Sequence, residues 1–349
     1  MTDSVDSPIV SVRALVKRYA DTTAVDGVSF DIAEGSIFGL LGPNGAGKTT
    51  AISMISCLIA PDDGDVLVDG HSVRSDSSAV RRLLGVVPQE IALYPTLTAE
   101  ENLRFWGKMY GLHGKGLAEA VAYGLELAGL ADHARKRVET FSGGMKRRIN
   151  IAAGVLHRPR VLLMDEPTVG IDPQSRNHIL DTVRQLNRDG MTVLYTSHYM
   201  EEVEVLCDRI AIVDHGKVIA QGTQHELQAL VGDEDRIRIT LDSGLGAAGT
   251  AEADDGTGVG TEPDGAVAVA VPLSPQVIAV LDAVRALAGV SRAEVVGGVV
   301  DVLVPDAGPV LGGIVAAIAG AGAHVRAIEV VEPDLESVFL HLTGRGLRD

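Results

Sequence analysis

The sequence has little positive charge and little cysteine, and both shortages narrow the class of protein. The 349 residues include 30 Lys and Arg against 47 Asp and Glu, a formal net charge of -17 at pH 7. Binding to nucleic acid depends on basic side chains that neutralise phosphates, so this balance argues against a nucleic-acid partner. The two cysteines, Cys57 and Cys207, lie in apolar segments with helical spacing. We expect both to be reduced core residues in a reducing compartment.

The sequence also lacks an N-terminal signal and a clear membrane-spanning run. Residues 1–10 contain Asp3 and Asp6 and have neither a basic start nor an apolar centre, so the chain is expected to start in the cytoplasm. The longest uncharged stretch, Gly308–Val325, consists mostly of Gly and Ala and opens with Gly-Pro. It is predicted to form a soluble helix and a turn. Work at a membrane would therefore need a membrane segment from another protein.

The length suits two domains, and the apolar pattern predicts an α/β fold for the first. Alternation in Ile9–Val16 and Ala24–Ile32 predicts an antiparallel hairpin that turns at residues 21–23. Helical spacing predicts a helical insertion over Thr98–Leu130, with a capping box at its start. Further strands are predicted at Val66–Val68, Val161–Met164, Thr192–Tyr195 and Arg209–Val213.

The composition changes after Leu230. The predicted domains are residues 1–231, an acidic and Gly-rich linker at 232–265 around one strand (Ile237–Leu241), and a small α+β domain at 266–349. The order βαββαβ in the last domain is typical of a ferredoxin-like unit. This domain has no cluster of His, Cys or paired carboxylates, so it is expected to pack rather than catalyse. Its elements are predicted at Val267–Val271, Pro275–Leu287, Arg292–Val296, Val299–Val304, Val310–Ala321 and Val325–Val331, with a final helix at Pro333–Leu342.

A glycine-rich segment lies between the predicted strand Ile37–Leu41 and a helix predicted over Ala51–Ile59. Strand, glycine loop and helix in this order are typical of a phosphate-binding loop, whose backbone N–H groups surround a polyphosphate. Lys48 would bind the outer phosphates, and Thr49 would offer its hydroxyl to Mg²⁺. The alternative is a plain glycine-rich turn before a helix. The loop residues are Gly42, Pro43, Asn44, Gly45, Ala46, Gly47, Lys48, Thr49 and Thr50.

Two carboxylates and one histidine are candidate catalytic residues. Asp165 and Glu166 end the apolar strand that begins at Val161. Asp165 could hold Mg²⁺ through water, and Glu166 could orient or deprotonate an attacking water. The alternative is an acidic turn after a core strand. His198 follows another strand and lies where a sensor of the γ-phosphate would be expected, although a lone histidine is usually a solvated or core residue.

The segment Phe141–Met145 is a second candidate for anion binding. The Ser142 hydroxyl and the amides of Gly143 and Gly144 precede a helix that carries three basic residues, 146–148, and a helix start attracts anions. One phosphate loop already supplies such groups to its own nucleotide. A second anion-binding helix start therefore fits a nucleotide held by another copy of the chain. The alternative is a capped helix with a basic solvent-facing side.

These motifs, in this order, resemble the ATP-binding subunits of ABC transporters over roughly Ile9–Leu230. The resemblance implies a P-loop ABC ATPase fold with a parallel-sheet core, an antiparallel N-terminal subdomain and a helical insertion. It implies that two copies enclose two ATP molecules, each between the glycine loop of one copy and Ser142 and Gly144 of the other. Phe141 and Met145 stand where Leu and Gln are commonest in the family signature. The resemblance further assigns MgATP binding to Lys48, Thr49, Gln89 and Asp165, water attack to Glu166, the γ-phosphate to His198, the D-loop to Ile171 and Asp172, and adenine stacking to Tyr19.

The segment Ile37–Leu41, the signature and the tail Glu332–Phe339 are similar to the drug-export branch related to daunorubicin-resistance ATPases. This implies export of a drug-like or other hydrophobic small molecule through a separately encoded transmembrane permease. The chain would lie at the cytoplasmic face of the membrane, with residues 89–110 as the docking surface. A soluble mechanical ATPase acting on ribosomes or DNA is the main alternative, but the second cassette or long coiled coil of such relatives is missing. A regulator without turnover is disfavoured because Glu166 and His198 are both present.

Overall fold

The computed structural model describes residues 8–230, 235–241, 275–296, 299–331 and 334–343. The chain divides into two compact units. The first contains the described residues up to Leu227 together with those from Val338 onward, and the second contains those between Gln228 and Ser337. Each unit has its own apolar core.

The first unit alternates strands and helices, as the apolar pattern predicts. Its strands are β1 (Val10–Tyr19), β2 (Thr22–Ile32), β3 (Ile37–Leu41), β4 (Asp63–Val68), β5 (His71–Ser72), β6 (Leu84–Val87), β7 (Val161–Asp165), β8 (Thr192–Ser197), β9 (Arg209–Asp214) and β10 (Lys217–Gly222). Its helices are α1 (Lys48–Ile55), α2 (Ser77–Leu83), α3 (Ala99–Met109), α4 (Gly114–Leu127), α5 (Gly143–Val155), α6 (Pro173–Arg188), α7 (Met200–Leu206) and α8 (Gln224–Gln228).

The N-terminal strands form an antiparallel sheet in the order β2-β1-β4-β5, so the predicted hairpin is confirmed. The turn lies earlier than predicted, because Tyr19 pairs with Thr22 and leaves Ala20 and Asp21 as the turn. Register shifts interrupt the pairing between Val12 and Leu15, and such irregularities break the apolar alternation from which strand length is predicted.

The larger sheet has the order β10-β9-β3-β8-β7-β6, and all neighbours are parallel except the pair β9 and β10. Its strands β3, β7 and β8 are buried along their whole length, as parallel strands covered on both faces are. Leu41 pairs with Ser197, and Asp165 pairs with Thr196. The segments that follow these three strands therefore lie at one edge of the sheet.

The predicted helical insertion is two helices, α3 and α4. Thr98 accepts a hydrogen bond from the Glu101 N–H, and Glu101 accepts one from the Thr98 N–H, so the capping box is confirmed. The break falls at Gly111, whose φ of 83° is a left-handed conformation suited to glycine. Helix α1 also differs from the prediction of Ala51–Ile59, because it begins at Lys48 and ends at Ile55. Cys57 follows this helix end at a φ of 57°.

The second unit contains an antiparallel sheet in the order β12-β13-β11-β14. This is the strand order of a ferredoxin-like fold, as the element order predicts. Its first strand is β11, inside the predicted linker. The predicted strand Val267–Val271 and the linker residues 242–265 lie outside the described residues. The elements are β11 (Asp235–Leu241), α9 (Pro275–Arg285), β12 (Arg292–Val296), β13 (Val299–Val304), α10 (Ala307–Gly320) and β14 (Val325–Val331), followed by α11 (Leu335–Thr343).

Helix α10 covers most of the uncharged stretch and has 14 residues. It begins at Ala307, where Asp306 accepts a hydrogen bond from the Gly308 N–H. Within the described parts of the chain, no helix combines the length and apolarity needed to cross a membrane.

Candidate functional site

The glycine loop connects β3 to α1, and its geometry requires glycine. Gly47 has a φ of 103°, and a Cβ there would lie 2.4 Å from the Ala24 carbonyl oxygen. The loop therefore approaches β2 too closely for a side chain. Lys48 and Thr49 begin α1, so their N–H groups are among those with no partner inside the helix. Such a helix start binds phosphate oxygens.

Lys48 and Glu166 form a buried ion pair at the edge of the parallel sheet. The Lys48 Nζ lies 3.0 Å from Glu166 Oε1, and the two residues are 4% and 5% exposed. The same ammonium donates to the carbonyl oxygens of Gly42 and Pro43 at 2.7 and 3.0 Å. Buried charges need partners of this kind. The ammonium is thus held at the loop, where it would meet a polyphosphate.

His198 completes this group. Its Nδ1 lies 3.3 Å from Glu166 Oε2, so the Glu166 carboxylate has Lys48 on one oxygen and His198 on the other. The structure thereby brings together three predicted residues from three separate segments, after β3, β7 and β8. The predicted roles of these residues in catalysis stay predictions.

Asp165 lies beside the loop and contacts two hydroxyl groups. The Thr196 hydroxyl donates to its Oδ1 at 2.9 Å, and the Thr49 hydroxyl also hydrogen bonds to the carboxylate. Burial raises the pKa of Asp165, and these two hydrogen bonds oppose the shift. A carboxylate and a hydroxyl in contact are the oxygen ligands that Mg²⁺ takes alongside substrate phosphates. The residues at this position therefore fit a magnesium ion.

The signature residues form a second group beside the D-loop. Ser142 caps α5 by accepting from the Met145 N–H at 3.3 Å, and Asp172 caps α6 by accepting from the Ser175 N–H at 2.9 Å. A Cβ on Gly144 would lie 2.0 Å from the Ser175 hydroxyl, so α5 and α6 approach closely here. Hydrogen bonds from Ser175 lower the pKa of Asp172. Within the described residues, no hydrogen bond or ion pair connects this group to Lys48 or Glu166.

Two of the three basic residues on α5 do not form the solvent-facing side that the alternative required. Arg147 is 3% exposed and donates to the carbonyl oxygens of Pro88 and Gln89 at 2.7 and 2.5 Å. Arg148 donates to the Ala128 carbonyl oxygen at 2.9 Å. These arginines hold backbone inside the fold. Gln89 itself is exposed after β6.

Tyr19 ends β1 and is 48% exposed. The Lys17 ammonium lies 5.7 Å from the centre of its ring. An exposed ring at a strand end is compatible with stacking on a base, and the role stays a prediction.

Thr196 is a site residue that the sequence interpretation missed. Its hydroxyl donates to Asp165 and accepts from the Glu166 N–H at 3.0 Å, so one side chain orients both carboxylate residues. The sequence feature that could have identified Thr196 is its position, two residues before His198 at the end of a buried strand.

A phosphate loop with a buried lysine, two carboxylates at the end of a neighbouring strand and a histidine beside them define a P-loop ATPase. The chain belongs to the ATP-binding proteins of the ABC transporter family. The family model described as ABC transporter matches residues 25–169. The chain is similar to a linearmycin resistance ATP-binding protein of Bacillus subtilis, at 48% identity over 95% of this chain and 97% of that protein.

Two further similar proteins support the same family. A daunorubicin resistance ATP-binding protein of Streptomyces coeruleorubidus is 38% identical over 96% of this chain and 96% of its own length. A solved ATP-binding cassette, a dimer in a post-hydrolysis state with ADP and Pi, superposes with a TM-score of 0.57 at 27% identity. The superposition covers 61% of this chain and 98% of the chain of that cassette. The chain is therefore an ABC ATPase that binds ATP, and these similarities favour transport over the ribosome or DNA alternative.

Proposed function

We propose that this protein is the ATP-hydrolysing subunit of an exporter for drug-like or other hydrophobic small molecules. It works with a separately encoded transmembrane permease and lies at the cytoplasmic face of the membrane. The names of the linearmycin and daunorubicin resistance relatives support the cargo class. The contact of Glu166 with both Lys48 and His198 supports hydrolysis, because it joins the phosphate loop to a base and a sensor.

The site residues act mainly by placing charge and orienting water. The loop amides and Lys48 bind the β- and γ-phosphates, and His198 holds the γ-phosphate. Glu166 orients the attacking water and accepts its proton. Thr49, Asp165 and Gln89 would hold Mg²⁺, which neutralises charge on the phosphate oxygens when bound. The Thr196 hydroxyl keeps Asp165 and Glu166 in place.

A second copy of the chain completes each site. Ser142, Gly143, Gly144 and Asp172 form a group apart from Lys48, with Ser142 and Asp172 exposed at two helix starts. Two such helix starts are suited to an anion that the same chain's phosphate loop does not hold. We therefore assign them to the ATP bound by the partner copy, in a symmetric dimer with two shared sites.

Mixing two inactive variants tests the shared sites. Ser142→Arg should abolish hydrolysis and leave ATP binding by the monomer intact, because it places bulk and charge in the interface. Lys48→Ala removes the ammonium from the other half of the site. In an equal mixture, half of the dimers would combine the two variants, and each of these would have one intact site. Steady-state hydrolysis should then recover to at most about a quarter of the wild-type rate.

Normal hydrolysis by Ser142→Arg alone would refute the two-copy arrangement. Ser78→Arg, at an exposed position on α2 away from both helix starts, is the control for adding an arginine to the surface. It should leave the rate unchanged.

The permease is proposed to dock beside Gln89. Within residues 89–110, Ile91, Tyr94 and Met109 are exposed at 36%, 47% and 66%, and the Tyr94 ring packs edge-on against Phe105 at 4.8 Å. Exposed apolar side chains near one another mark interaction surfaces. Producing the chain together with a membrane protein encoded by an adjacent gene should make a drug-sensitive host resistant. Lys48→Ala should remove that resistance, and unchanged resistance would refute an ATP-driven exporter.

A further inference from the structure

The carboxylate of Glu202 lies at the centre of a buried polar network that the reaction described above does not use. Glu202 is on α7 and is 2% exposed. Three hydroxyl groups donate to its Oε2, those of Thr168 at 2.8 Å, Tyr195 at 2.9 Å and Ser197 at 3.0 Å. The Arg176 Nε lies 3.3 Å from Oε1 as an ion pair. Four separate side chains are therefore directed toward one carboxylate.

Two of these donors lie next to the residues of the site. Thr168 is two positions after Glu166, and Ser197 immediately precedes His198. An ionised carboxylate only accepts hydrogen bonds, so each hydroxyl must direct its hydrogen toward Glu202. Ser197 also accepts from the Tyr199 N–H at 2.9 Å, and its side chain thereby anchors the backbone on both sides of His198.

Arg176 extends the network to helix α6. Its guanidinium lies over the Tyr199 ring at 4.7 Å, and that ring is 4.1 Å from the ring of His198. Arg176 is one turn beyond Asp172, which caps the same helix. Glu202 thus connects, through hydroxyls and one arginine, the loop of Glu166, the loop of His198 and the helix that begins at the D-loop.

Tyr195 stays a donor in this network. Burial, together with the neighbouring Glu202 charge, raises the pKa of Tyr195 well above its ordinary value. Its hydroxyl therefore keeps its proton and its bond to Glu202. The three hydroxyl hydrogen bonds to Glu202 Oε2 therefore hold Thr168, Tyr195 and Ser197 in one arrangement around this carboxylate oxygen.

We propose that Glu202 is a positioning residue, which holds the loops of Glu166 and His198 at their mutual distance and ties them to helix α6 through Arg176. This inference rests on the proposed function, because it assumes that His198 and Glu166 act on ATP. Glu202 touches neither nucleotide nor water in this role. It acts through Ser197 on His198 and through Thr168 on Glu166.

The test compares Glu202→Gln with Glu201→Gln, the same substitution on the exposed side of α7. The rate of hydrolysis per bound ATP is measured in single turnover, with the protein in excess over MgATP, so that a smaller folded fraction does not lower it. Glu202→Gln should reduce this rate roughly 10- to 100-fold, the effect of misplacing a reacting group by about 1 Å. Affinity for ATP should change little, and Glu201→Gln should match the wild type.

A second background separates positioning from general damage to the fold. In a His198→Ala chain, Glu202→Gln should reduce the rate less than it does in the wild type, because one of the two residues that Glu202 positions is already absent. An equal loss in both backgrounds would overturn the proposal, as would a wild-type rate for Glu202→Gln. If Glu202→Gln does not fold, Ser197→Ala decides by the same two criteria. Failure of the wild-type chain to hydrolyse ATP would instead refute the proposed function.

Discussion

Glu166 has a φ of 44°, a left-handed conformation that is rare for a residue with a side chain. Such a conformation costs on the order of 1–3 kcal/mol and persists only where neighbouring groups enforce it. Here the Thr196 hydroxyl holds the Glu166 N–H, and Lys48 and His198 hold the two carboxylate oxygens. The position of this one carboxylate therefore costs stability, and the contacts of Glu166 maintain it.

Removing the negative charge of Glu166 tests its role as a base. Glu166→Gln should retain ATP binding and lose roughly 10²–10⁴-fold in steady-state hydrolysis, the contribution of a general base. Dimers with bound ATP should accumulate and be visible by size-exclusion chromatography. Glu119→Gln, which changes an exposed glutamate on α4, should hydrolyse normally. A wild-type rate in Glu166→Gln would remove Glu166 from the mechanism.

Helix α5 connects the Ser142 half of the proposed dimer site to the segment after β6. Its start carries Ser142, and one turn later Arg147 holds the carbonyl oxygens of Pro88 and Gln89. Just past its end, His157 Nε2 lies 3.0 Å from the Leu84 carbonyl oxygen, and its ring stacks on Tyr110 at 3.9 Å. The helix is thus anchored at both ends to strand β6 and the residues that follow it.

His157 makes part of the stability depend on pH. Burial lowers the pKa of His157, and its hydrogen bond to Leu84 only partly offsets the shift. The unfolded chain, whose histidine pKa is about 6.5, binds the proton first as pH falls. The stability due to neutral His157 is therefore fully present above about pH 6.5 and is lost as pH falls through the lower pKa of the folded state.

Between pH 7.5 and pH 5, we expect the melting temperature of the wild type to fall further than that of His157→Gln, because the glutamine side chain cannot gain a charge. Thermal unfolding across this range measures the difference. His113→Gln, at an exposed position before α4, should follow the wild type. Parallel curves for the wild type and His157→Gln would contradict the assignment.

At the level of the whole chain, the boundary between the two units falls inside helix α11. Leu335, Val338 and Phe339 are fully buried, as their helical spacing predicts. Leu342, which the same spacing places with them, is 37% exposed. Val338–Thr343 group with the ATP-binding unit, although about a hundred residues separate them from it in sequence. The second half of α11 is therefore part of the first unit.

Phe339→Ala should destabilise the ATP-binding unit by about 3–5 kcal/mol, the usual cost of removing a buried phenylalanine. ATP stabilises only the unit that binds it, so the thermal transition that shifts with MgATP identifies that unit. We expect Phe339→Ala to lower this transition. Leu340→Ala, at a half-exposed neighbour on the same helix, should leave it nearly unchanged. A shift confined to the ATP-insensitive transition would assign Phe339 to the second unit.

Most strands, the two helix caps at Thr98 and Ser142 and the phosphate loop were predictable because each depends on nearby residues, whereas β5, β6 and β10 were not predicted. Alternation, capping pairs and glycine positions act over a few positions of the chain. The strand predicted at Ile237–Leu241 is confirmed as part of β11, but its membership of the second unit was not predicted, for the opposite reason. Asp235–Leu241 becomes a strand by pairing with β13 and β14, some sixty to ninety residues further on, and acidic neighbours make it look like a linker.

The sequence by itself determined the family of this protein: a glycine loop of the phosphate-binding type, a carboxylate pair, a histidine and a second helix start that is predicted to bind an anion, in the order of an ABC ATPase. Only the tertiary structure decided which of these side chains meet. Parallel pairing of β3, β8 and β7 brings Lys48, His198 and Glu166 together. The tertiary structure also decided that Arg147 and Glu202 are buried. Burial depends on which element packs against a helix face, and local periodicity does not determine that element.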